Sequence, residues 1–386
     1  MKKIYNYAID LDESTEDQFN HCINQEFVVN AALMPDAHSG YVAPIGSVIE
    51  TKDYIVPSWV GYDIGCGMTA VKINEDILSL INNNTKKIYD EIMNNVPMGT
   101  GMLNHPKDIT KKTKNEFNGL LKKFEEGAHD KDIYKFIKNK SLSHLGTLGS
   151  GNHFLELCKS DNEFWIVVHS GSRGIGYKVA QKYMKKSSGS ETNFEATHPI
   201  KINSKVGKEY LNVLEFGLEF ALLNRKEIIY KTIYSIEKIL DKQISYEIWT
   251  NKNHNHAVPN GKNYIHRKGA TPAEKGERGV IPANMRDGSY LVIGKGNSKF
   301  LNSSSHGAGR KLSRTEAKRK ITMKKFREDM KGITGTVEKG TLDEAPDAYK
   351  NISKVMDAQK DSVEIVKHLL PIIALKGSGH KRPKHD

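Results

Sequence analysis

Residues 145–170 read LGTLGSGNHFLELCKSDNEFWIVVHS, and this stretch decides the fold. It holds two strand-like runs, LGTLGSGNHFLEL and FWIVVHS, and each contains a histidine, His153 or His169, next to small polar residues or glycine. Histidines next to glycine and small polar residues are not typical of a hydrophobic core. They suit a metal or phosphate site, because glycine lets the backbone approach an ion closely. The stretch therefore predicts a sheet whose loops carry an active site.

The rest of the chain mixes strand and helix patterns. Short apolar runs joined by Gly and Pro turns predict strands over 28–72. Helical spacing of apolar residues predicts helices over 74–140, 205–243, 310–328 and part of 343–370. No internal repeat is evident, and the fold class predicted is α+β, with central β-sheets surrounded by helices.

No linker divides the sequence, so a single domain is predicted over 1–386. The Lys- and Asn-rich region 74–140 is interpreted as a helical, partly solvated insertion. The polar, basic residues 378–386 are expected to form a frayed, flexible tail.

The composition is typical of a soluble globular protein, with 38% hydrophobic and 27% charged residues among 386. No apolar run is long enough to span a membrane, and the N-terminus lacks the apolar segment of a signal peptide. Three scattered cysteines do not form a disulfide framework, so reduced thiols and a cytoplasmic location are expected.

The net charge is +12, from 58 Lys and Arg against 46 Asp and Glu. Such a balance favours a polyanionic partner such as a nucleic acid. A proteome rich in Lys, Asn and Ile would give a basic protein as well, and the charge alone does not separate these two explanations.

Five side chains of metal-ligand type recur in short Gly-rich or polar blocks. They are Asp63, Cys66, His153, His169 and His254. The spacing of Asp63 and Cys66 in GYDIGCGM lets both side chains point at one cavity. A mixed O, N and S donor set suits Mn²⁺, Zn²⁺, Fe²⁺ or Co²⁺. A closed structural zinc site is disfavoured because no two cysteines are close in sequence. For each histidine taken alone, a structural role is the simpler explanation.

A further histidine, His306, lies in the block SSSHGAGR, four residues before Arg310. A histidine in a phosphate-binding loop can act as a nucleophile toward phosphorus, with adjacent cations stabilising the charge on the phosphate oxygens. The blocks 149–152 and 170–174, GSGN and SGSRG, offer backbone N–H groups and small hydroxyls for phosphate. Ordinary turns have the same composition, so each loop alone is a weak signal.

Taken together, the motifs GYDIGCGM, LGTLGSGNHFLEL, VHSGSRGIG, SSSHGAGRKLSR and DEAPDAYKNISKVMDAQKDSVEIVKHLLPIIALKG closely resemble the RtcB family of RNA-splicing ligases. The resemblance runs from about residue 34 to residue 377. It implies a single RtcB-like domain with a deep metal-containing cleft. It also implies an enzyme that joins an RNA 3′-phosphate or 2′,3′-cyclic phosphate end to a 5′-hydroxyl end, using GTP and two Mn²⁺ per chain.

The resemblance also implies roles for individual residues. His306 would be guanylylated, and Asp36 would orient it. Cys66 would bridge the two Mn²⁺ ions, which Asp63, His153, His169 and His254 would also bind. The residues implied to bind GTP are Asn152, Phe154, Glu156, Ser289, Ala308, Gly309, Tyr349 and Lys376. Arg173 and Arg310 are implied to contact RNA or phosphate, on a basic face that also includes Lys311 and Arg314.

Some features depart from the family pattern. Residues 281–286, IPANMR, stand where relatives carry a Gly-Ser-Met run, which leaves the contact of Asn284 with the nucleotide open. His254 fits the family's His-Asn pattern better than His256 does. The length resembles the compact bacterial branch, for which RNA repair is as plausible as tRNA splicing, and an archease-type activator is a possible partner.

Two other functions remain as alternatives. A metal-dependent phosphoesterase would hydrolyse a cyclic phosphate without sealing, but would not need a guanine pocket. A non-enzymatic RNA- or ribosome-binding protein would explain the basic charge, but not the metal-ligand residues.

Overall fold

The computed structural model describes residues 2–377, so the predicted tail 378–386 lies outside the described residues. Strands and helices are interleaved along this range. The strands are β1 (Lys3–Asn6), β2 (Val28–His38), β3 (Ile45–Thr51), β4 (Tyr54–Ile55), β5 (Gly67–Ile73), β6 (Phe154–Ser160), β7 (Glu163–Ser170), β8 (Ile200–Lys201), β9 (Tyr246–Asn253), β10 (Asn255–Asn260), β11 (Asn263–Lys268), β12 (Ala270–Pro272), β13 (Arg278–Pro282), β14 (Ser289–Gly294), β15 (Ser303–Ser305), β16 (Thr334–Gly335) and β17 (Val363–Leu375). The helices are α1 (Glu13–Ile23), α2 (Pro57–Val60), α3 (Leu78–Asn83), α4 (Thr85–Asn95), α5 (Lys111–Glu126), α6 (Lys131–His144), α7 (Arg173–Ser188), α8 (Lys205–Leu240), α9 (Arg314–Lys320), α10 (Met323–Asp329) and α11 (Ile352–Ala358).

Two larger sheets form the centre of the molecule. The main sheet has the order β13-β14-β17-β6-β7-β5-β9, and β16 pairs in parallel with β17 at its side. The second sheet has the order β1-β2-β3-β11-β10. Two short ribbons, β12 with β15 and β4 with β8, complete the strand pairing. The α+β class predicted from the sequence is confirmed.

Helix α8 is the longest element, with 36 residues. Ser204 caps its start by accepting a hydrogen bond from the Gly207 N–H, and Asp241 ends it in the left-handed conformation. Apolar side chains on several of its faces are buried, because α8 packs against strands of the main sheet on one side and helices α4, α5 and α7 on others. It is the element around which the layers are arranged.

The region 74–140 is helical, as predicted, but it is not loosely attached. Phe117 and Phe124 of α5 are buried against Phe216 and Phe220 of α8. The term insertion remains a prediction, since packing alone does not test it.

The pairing of the main sheet determines where the site forms. Neighbouring strands in this part of the sheet are antiparallel. The first residues of β5 and β6 therefore lie beside the last residues of β7 and β9, at one edge of the sheet. Gly67 pairs with both Ser170 and Asn253, and Phe154 pairs with His169. The blocks that hold Cys66, His153, His169 and His254 therefore converge, although they are far apart in sequence.

Two local predictions differ from the structure. The run 54–59, YIVPSW, is a strand only at Tyr54–Ile55, because Pro57 starts the short helix α2. The basic stretch 310–328 forms two helices instead of one: α9 ends at Lys320, and Thr322 caps the start of α10. Within the described range, no helix is long and apolar enough to cross a membrane.

Candidate active site

Five side chains form a compact cluster at the converging edge of the main sheet. Two groups of potential metal ligands are present, Cys66–His169–His254 and Asp63–Cys66–His153, and in each group the ligand atoms lie within 4.8 Å of one another. The Cys66 Sγ is 3.1 Å from the His169 Nε2 and 3.3 Å from the His153 Nε2. The Asp63 Oδ2 is 2.8 Å from the His153 Nε2. Cys66 is thus common to two adjacent sets of donors.

The imidazoles are oriented by their other nitrogen. The His169 Nδ1–H donates to the Asn152 carbonyl at 3.1 Å, and the His153 Nδ1 lies 3.0 Å from the Leu148 carbonyl. The Arg173 Nη1 is 3.1 Å from the same His153 Nδ1. The His153 Nε2 faces the cluster, while Nδ1 lies between the Leu148 carbonyl and the Arg173 guanidinium. Backbone carbonyls that fix Nδ1 in this way are typical of metal-binding histidines.

Burial acts differently on the imidazoles and on the thiol of this cluster. Burial lowers the pKa of His169 and His254 well below the usual value, so both imidazoles are neutral. Burial and the nearby Asp63 raise the pKa of the Cys66 thiol. The pKa of Asp63 falls despite burial, because His153 and Arg173 stabilise the carboxylate. Neutral imidazoles, a carboxylate and a thiol that loses its proton on binding fit one or two transition-metal ions.

The turn that carries Asp63 and Cys66 is pressed against helix α8. Gly65 has a φ of +70°, and a Cβ there would lie 2.7 Å from the Ala221 Cβ and 3.1 Å from the Gly217 carbonyl. Glycine at position 65, with small residues facing it on α8, is therefore required for this approach.

Helix α8 also supplies a buried arginine that sequence reasoning missed. The Arg225 side chain is fully buried and donates to the carbonyls of Gly65 at 3.0 Å and Ser170 at 2.8 Å. It also donates to the side chains of Asn251 and Asn253, each at 2.8 Å. Among the described residues, Arg225 has no acidic partner within 4 Å. Its contacts tie together three of the segments that bear ligands.

His306 directly follows β15 and faces Asp36 of β2. The His306 Nδ1 is 2.6 Å from the Asp36 Oδ2, which also accepts the backbone N–H groups of His306 at 3.2 Å and Gly307 at 3.3 Å. Asp36 is fully buried, yet its pKa is lowered, because the attraction of His306 outweighs burial. With Nδ1 bound to Asp36, Nε2 is the nitrogen left for chemistry. The His306 ring lies 4.9 Å from the His254 ring, between centroids.

One cleft, with a volume of about 820 Å³, is lined by Asp63, Cys66, His169, His254 and His306. Most residues implied to bind the nucleotide line it too. They are Asn152, Phe154, Glu156, Ala308, Gly309, Tyr349 and Lys376. Burial raises the pKa of Glu156 to about 8, although Lys376 opposes the shift. The cleft therefore combines the ligand cluster, His306 and a pocket with an aromatic ring, a buried acid and a buried lysine.

Glu344 is the second residue that sequence reasoning missed. Its buried carboxylate accepts from the Tyr349 hydroxyl at 2.5 Å and Lys376 Nζ at 3.0 Å, and pairs with Arg310 at 3.2 Å and Arg314 at 2.5 Å. These cations hold the pKa of Glu344 below its usual range in spite of burial. Its position in the quoted block DEAPDAYK was visible, but its partners come from three separate segments.

The same contacts change the expectation for two arginines. Arg310 and Arg314 were predicted on an RNA-facing surface, but both guanidinium groups are engaged by Glu344 and Asp343. Of the residues predicted on the basic face, Lys311 is the one that is exposed and has no ion pair with an acidic side chain among the described residues.

Other expected residues lie beside the cleft without lining it. Ser289 is buried at the start of β14, and Arg173 packs against the 149–153 loop. The hydroxyls of Ser170 and Ser172 donate to the carbonyls of Leu148 and Ile64, so they hold loops together.

The surroundings of Asn284 and of His256 bear on two alternatives at the edge of the site. Asn284 lines the cleft, but its amide donates to Asp287 at 2.8 Å. His256 is buried on β10 and belongs to neither group of potential ligands. His254 belongs to the group with Cys66 and His169.

Comparison with known proteins agrees with this arrangement. Residues 18–377 match the family model described as tRNA-splicing ligase RtcB. The chain is 32% identical to the RNA-splicing ligase RtcB of Escherichia coli (strain K12), with 97% of each chain covered. It is 30% identical to the tRNA-splicing ligase RtcB of Nanoarchaeum equitans, over 91% of this chain and 89% of that one. The chain therefore belongs to the RtcB family of RNA-splicing ligases.

Proposed function

We propose that the protein is an RNA ligase that joins 3′-phosphate or 2′,3′-cyclic phosphate ends to 5′-hydroxyl ends, with GTP and Mn²⁺, in RNA repair or tRNA splicing. The observation that carries the proposal is the contact of His306 with Asp36 at the edge of the ligand cluster, in the cleft that also holds the pocket for a base. A phosphoesterase would need the cluster, but neither His306 nor the pocket.

In this proposal His306 is the nucleophile. Asp36 accepts the Nδ1–H, which leaves a lone pair on Nε2 for in-line attack on the α-phosphorus of GTP, and pyrophosphate leaves. A 2′,3′-cyclic phosphate is first hydrolysed, with water breaking the bond from phosphorus to the 2′-oxygen to leave a 3′-phosphate. The GMP then passes from His306 to the RNA 3′-phosphate, and the 5′-hydroxyl displaces GMP as the new phosphodiester forms. Asp36 remains charged during the attack and stabilises the positive charge that develops on the imidazole.

Asp63, Cys66, His153, His169 and His254 would hold the metal. Bound Mn²⁺ would supply charge stabilisation at the phosphate oxygens. The protein's own part is to present five donors at one edge of the sheet and to keep the imidazoles of His169 and His254 neutral.

The nucleotide would be selected by the pocket. The Glu156 carboxylate would accept from the guanine N1–H and amino groups, and Lys376 would donate to O6. Tyr349 would stack on the base. Glu344 supports this set by holding Tyr349 and Lys376 with direct hydrogen bonds.

The test is transfer of label from α-labelled GTP to the denatured protein in the presence of Mn²⁺. Wild-type protein should be labelled, and His306→Ala should not. Asp36→Asn should be labelled far more slowly, because the Nδ1–H loses its anionic acceptor. Cyclic-phosphate hydrolysis without labelling or sealing would instead identify a phosphoesterase.

A further inference from the structure

Three tyrosine rings from separate segments form a continuous cluster beside the ligand-bearing turn. Tyr41 lies in the loop after β2, Tyr62 directly precedes Asp63, and Tyr177 lies in α7. The rings of Tyr62 and Tyr177 are stacked, with centroids 4.8 Å apart and planes at 21°. Tyr41 meets Tyr62 edge to face, at 5.6 Å and 84°.

These rings are unusually open to solvent. Tyr41 is 74% exposed and Tyr177 is 52% exposed, while Tyr62 is half-buried and its hydroxyl donates to Glu195. Single exposed apolar side chains are common, but three touching rings from three segments hold open aromatic faces in place. The hydrogen bond to Glu195 limits the rotation of the central ring.

The cluster is continuous with the cleft. Tyr41 and Tyr62 line its wall, as do Asp63 and Cys66. The residues proposed to bind guanine form a different set, which consists of Glu156, Tyr349 and Lys376. The tyrosines are therefore free for a second ligand that reaches the metal-ligand cluster from outside.

The charges near the rings favour a base over a phosphate as the direct contact. The acidic groups close by are Glu195, which accepts from Tyr62, and Asp12, which accepts from Thr15 and Ser39. Two lysines line the same cleft as Tyr41 and Tyr62: Lys311 is exposed, and Lys268 is buried and donates to the Ser58 carbonyl. A strand that places its phosphates toward these lysines can lay its bases on the tyrosines.

We propose that Tyr41, Tyr62 and Tyr177 form a stacking platform for the bases next to the 3′-phosphate end of single-stranded RNA. This inference rests on the proposed ligase function. It commits to the phosphate-bearing strand because that terminus is the anion which a cation held by the metal-ligand cluster would attract. Base–aromatic stacking is tolerant of sequence, so the platform would accept many RNA ends.

The first test measures the KM for 3′-phosphate RNA in Tyr41→Ala and Tyr177→Ala. Each should raise KM by roughly 10-fold, the value expected for one lost stacking contact, while kcat at saturating RNA is retained. Tyr→Phe variants should restore KM, and Tyr→Leu variants should not. Tyr234→Ala, which removes a tyrosine 59% exposed on α8, is the matched control. An unchanged KM, or equal rescue by Phe and Leu, would overturn the proposal.

The second test needs no catalysis. An RNA oligonucleotide with 2-aminopurine next to its 3′-phosphate should lose fluorescence on binding to the wild-type protein, and much less on binding to the Tyr41→Ala/Tyr177→Ala double variant. Equal quenching in both proteins, or quenching only of a probe at the 5′-hydroxyl strand, would overturn the platform. Absence of label on His306 would instead refute the ligase function, so the two failures are distinguishable.

Discussion

At Cys66, two sets of potential ligands share one sulfur. The Cys66 Sγ lies within 3.3 Å of imidazole nitrogens from both sets, while His254 belongs only to one and Asp63 only to the other. The side chains of the cluster are therefore not equivalent, and their removal should have different consequences for metal content.

We expect Cys66→Ala to lose about two metal ions per chain, whereas His254→Ala should lose about one and keep the other. Elemental analysis of protein purified with Mn²⁺ measures this directly. Cys22→Ala, another buried cysteine, should keep the full content. Retention of both ions in Cys66→Ala would refute the shared ligand.

Gly171 tests the packing around Asp63 without changing a ligand. A Cβ at position 171 would overlap the Asp63 Oδ1 and lie 3.1 Å from the Cys66 Cα. Gly171→Ala should weaken metal binding by roughly 10- to 100-fold, the range for a disturbed ligand orientation. Gly119→Ala, in helix α5 with open space around it, should bind metal normally and gain about 0.5–1 kcal/mol of stability. Equal metal affinity in the two variants would contradict the packing argument.

Glu156 should make guanine binding dependent on pH. Because its pKa is raised to about 8, the carboxyl is mostly protonated at pH 7, and only its ionised form accepts two hydrogen bonds from guanine. The affinity for guanosine should therefore rise roughly tenfold per pH unit up to about pH 8 and level off above it. Titration calorimetry with guanosine avoids the ionisation of phosphates. Glu156→Gln should abolish the rise, and a flat wild-type profile would exclude the assigned contact.

At the scale of elements, helix α8 positions the site through residues that touch no substrate. The small residues Gly217 and Ala221 leave room for the turn that carries Asp63 and Cys66. Arg225 is hydrogen-bonded to this turn and to the ends of β7 and β9. Burial lowers the pKa of Arg225 to about 10, so the side chain is still charged at neutral pH.

Removing this arginine should be costly. Arg225→Met leaves buried carbonyls and amides without a donor, and we expect a loss of about 3–5 kcal/mol in the free energy of unfolding. Its neighbour Lys226 makes a partly exposed ion pair with Glu116, so Lys226→Met should cost less than about 1 kcal/mol. Urea denaturation measures the free energy of unfolding of both variants. Similar decreases in the two variants would show that Arg225 stabilises the fold no more than Lys226 does.

The sequence predicted some of these structural features and missed others. Periodicity located α8 and most strands, and the ligand and His306 blocks stood out because His and Cys are rare next to glycine. Arg225 and Glu344 did not, since nothing local distinguishes Arg225 from Lys226. Their importance comes from partners far apart in sequence, which only the strand pairing brings together. The ion pairs of Arg310 and Arg314 could not be seen in the sequence for the same reason, and their contact with RNA stays a prediction.

At the scale of the whole molecule, the charge of +12 is not all available to a partner. Internal pairs with Glu344 and Asp343 engage part of the positive charge that lines the cleft. Lys311 is exposed there.

RNA affinity should fall steeply with salt, because the exposed cations displace counterions from the phosphates. Lys311→Ala should reduce the slope of log affinity against log salt by roughly 0.7, one contact on a single strand. Lys242→Ala, at an exposed lysine beyond the end of α8, should leave the slope unchanged. Fluorescence anisotropy across a salt series measures all three proteins, and a flat wild-type response would argue against an RNA substrate.

The spread of the cluster along the chain also bears on how the protein is made. The residues of the Asp63–Cys66–His153 group are synthesised first, those of the Cys66–His169–His254 group are complete only once His254 has been added, and His306 follows later still. Strand β6, which begins directly after His153, pairs with β17 at residues 363–375, so the strand ends that carry the cluster reach their final pairing only when nearly the whole chain has been synthesised. A product that ends before residue 306 would lack the proposed nucleophile, and one that ends before residue 363 would lack the strand that pairs with β6.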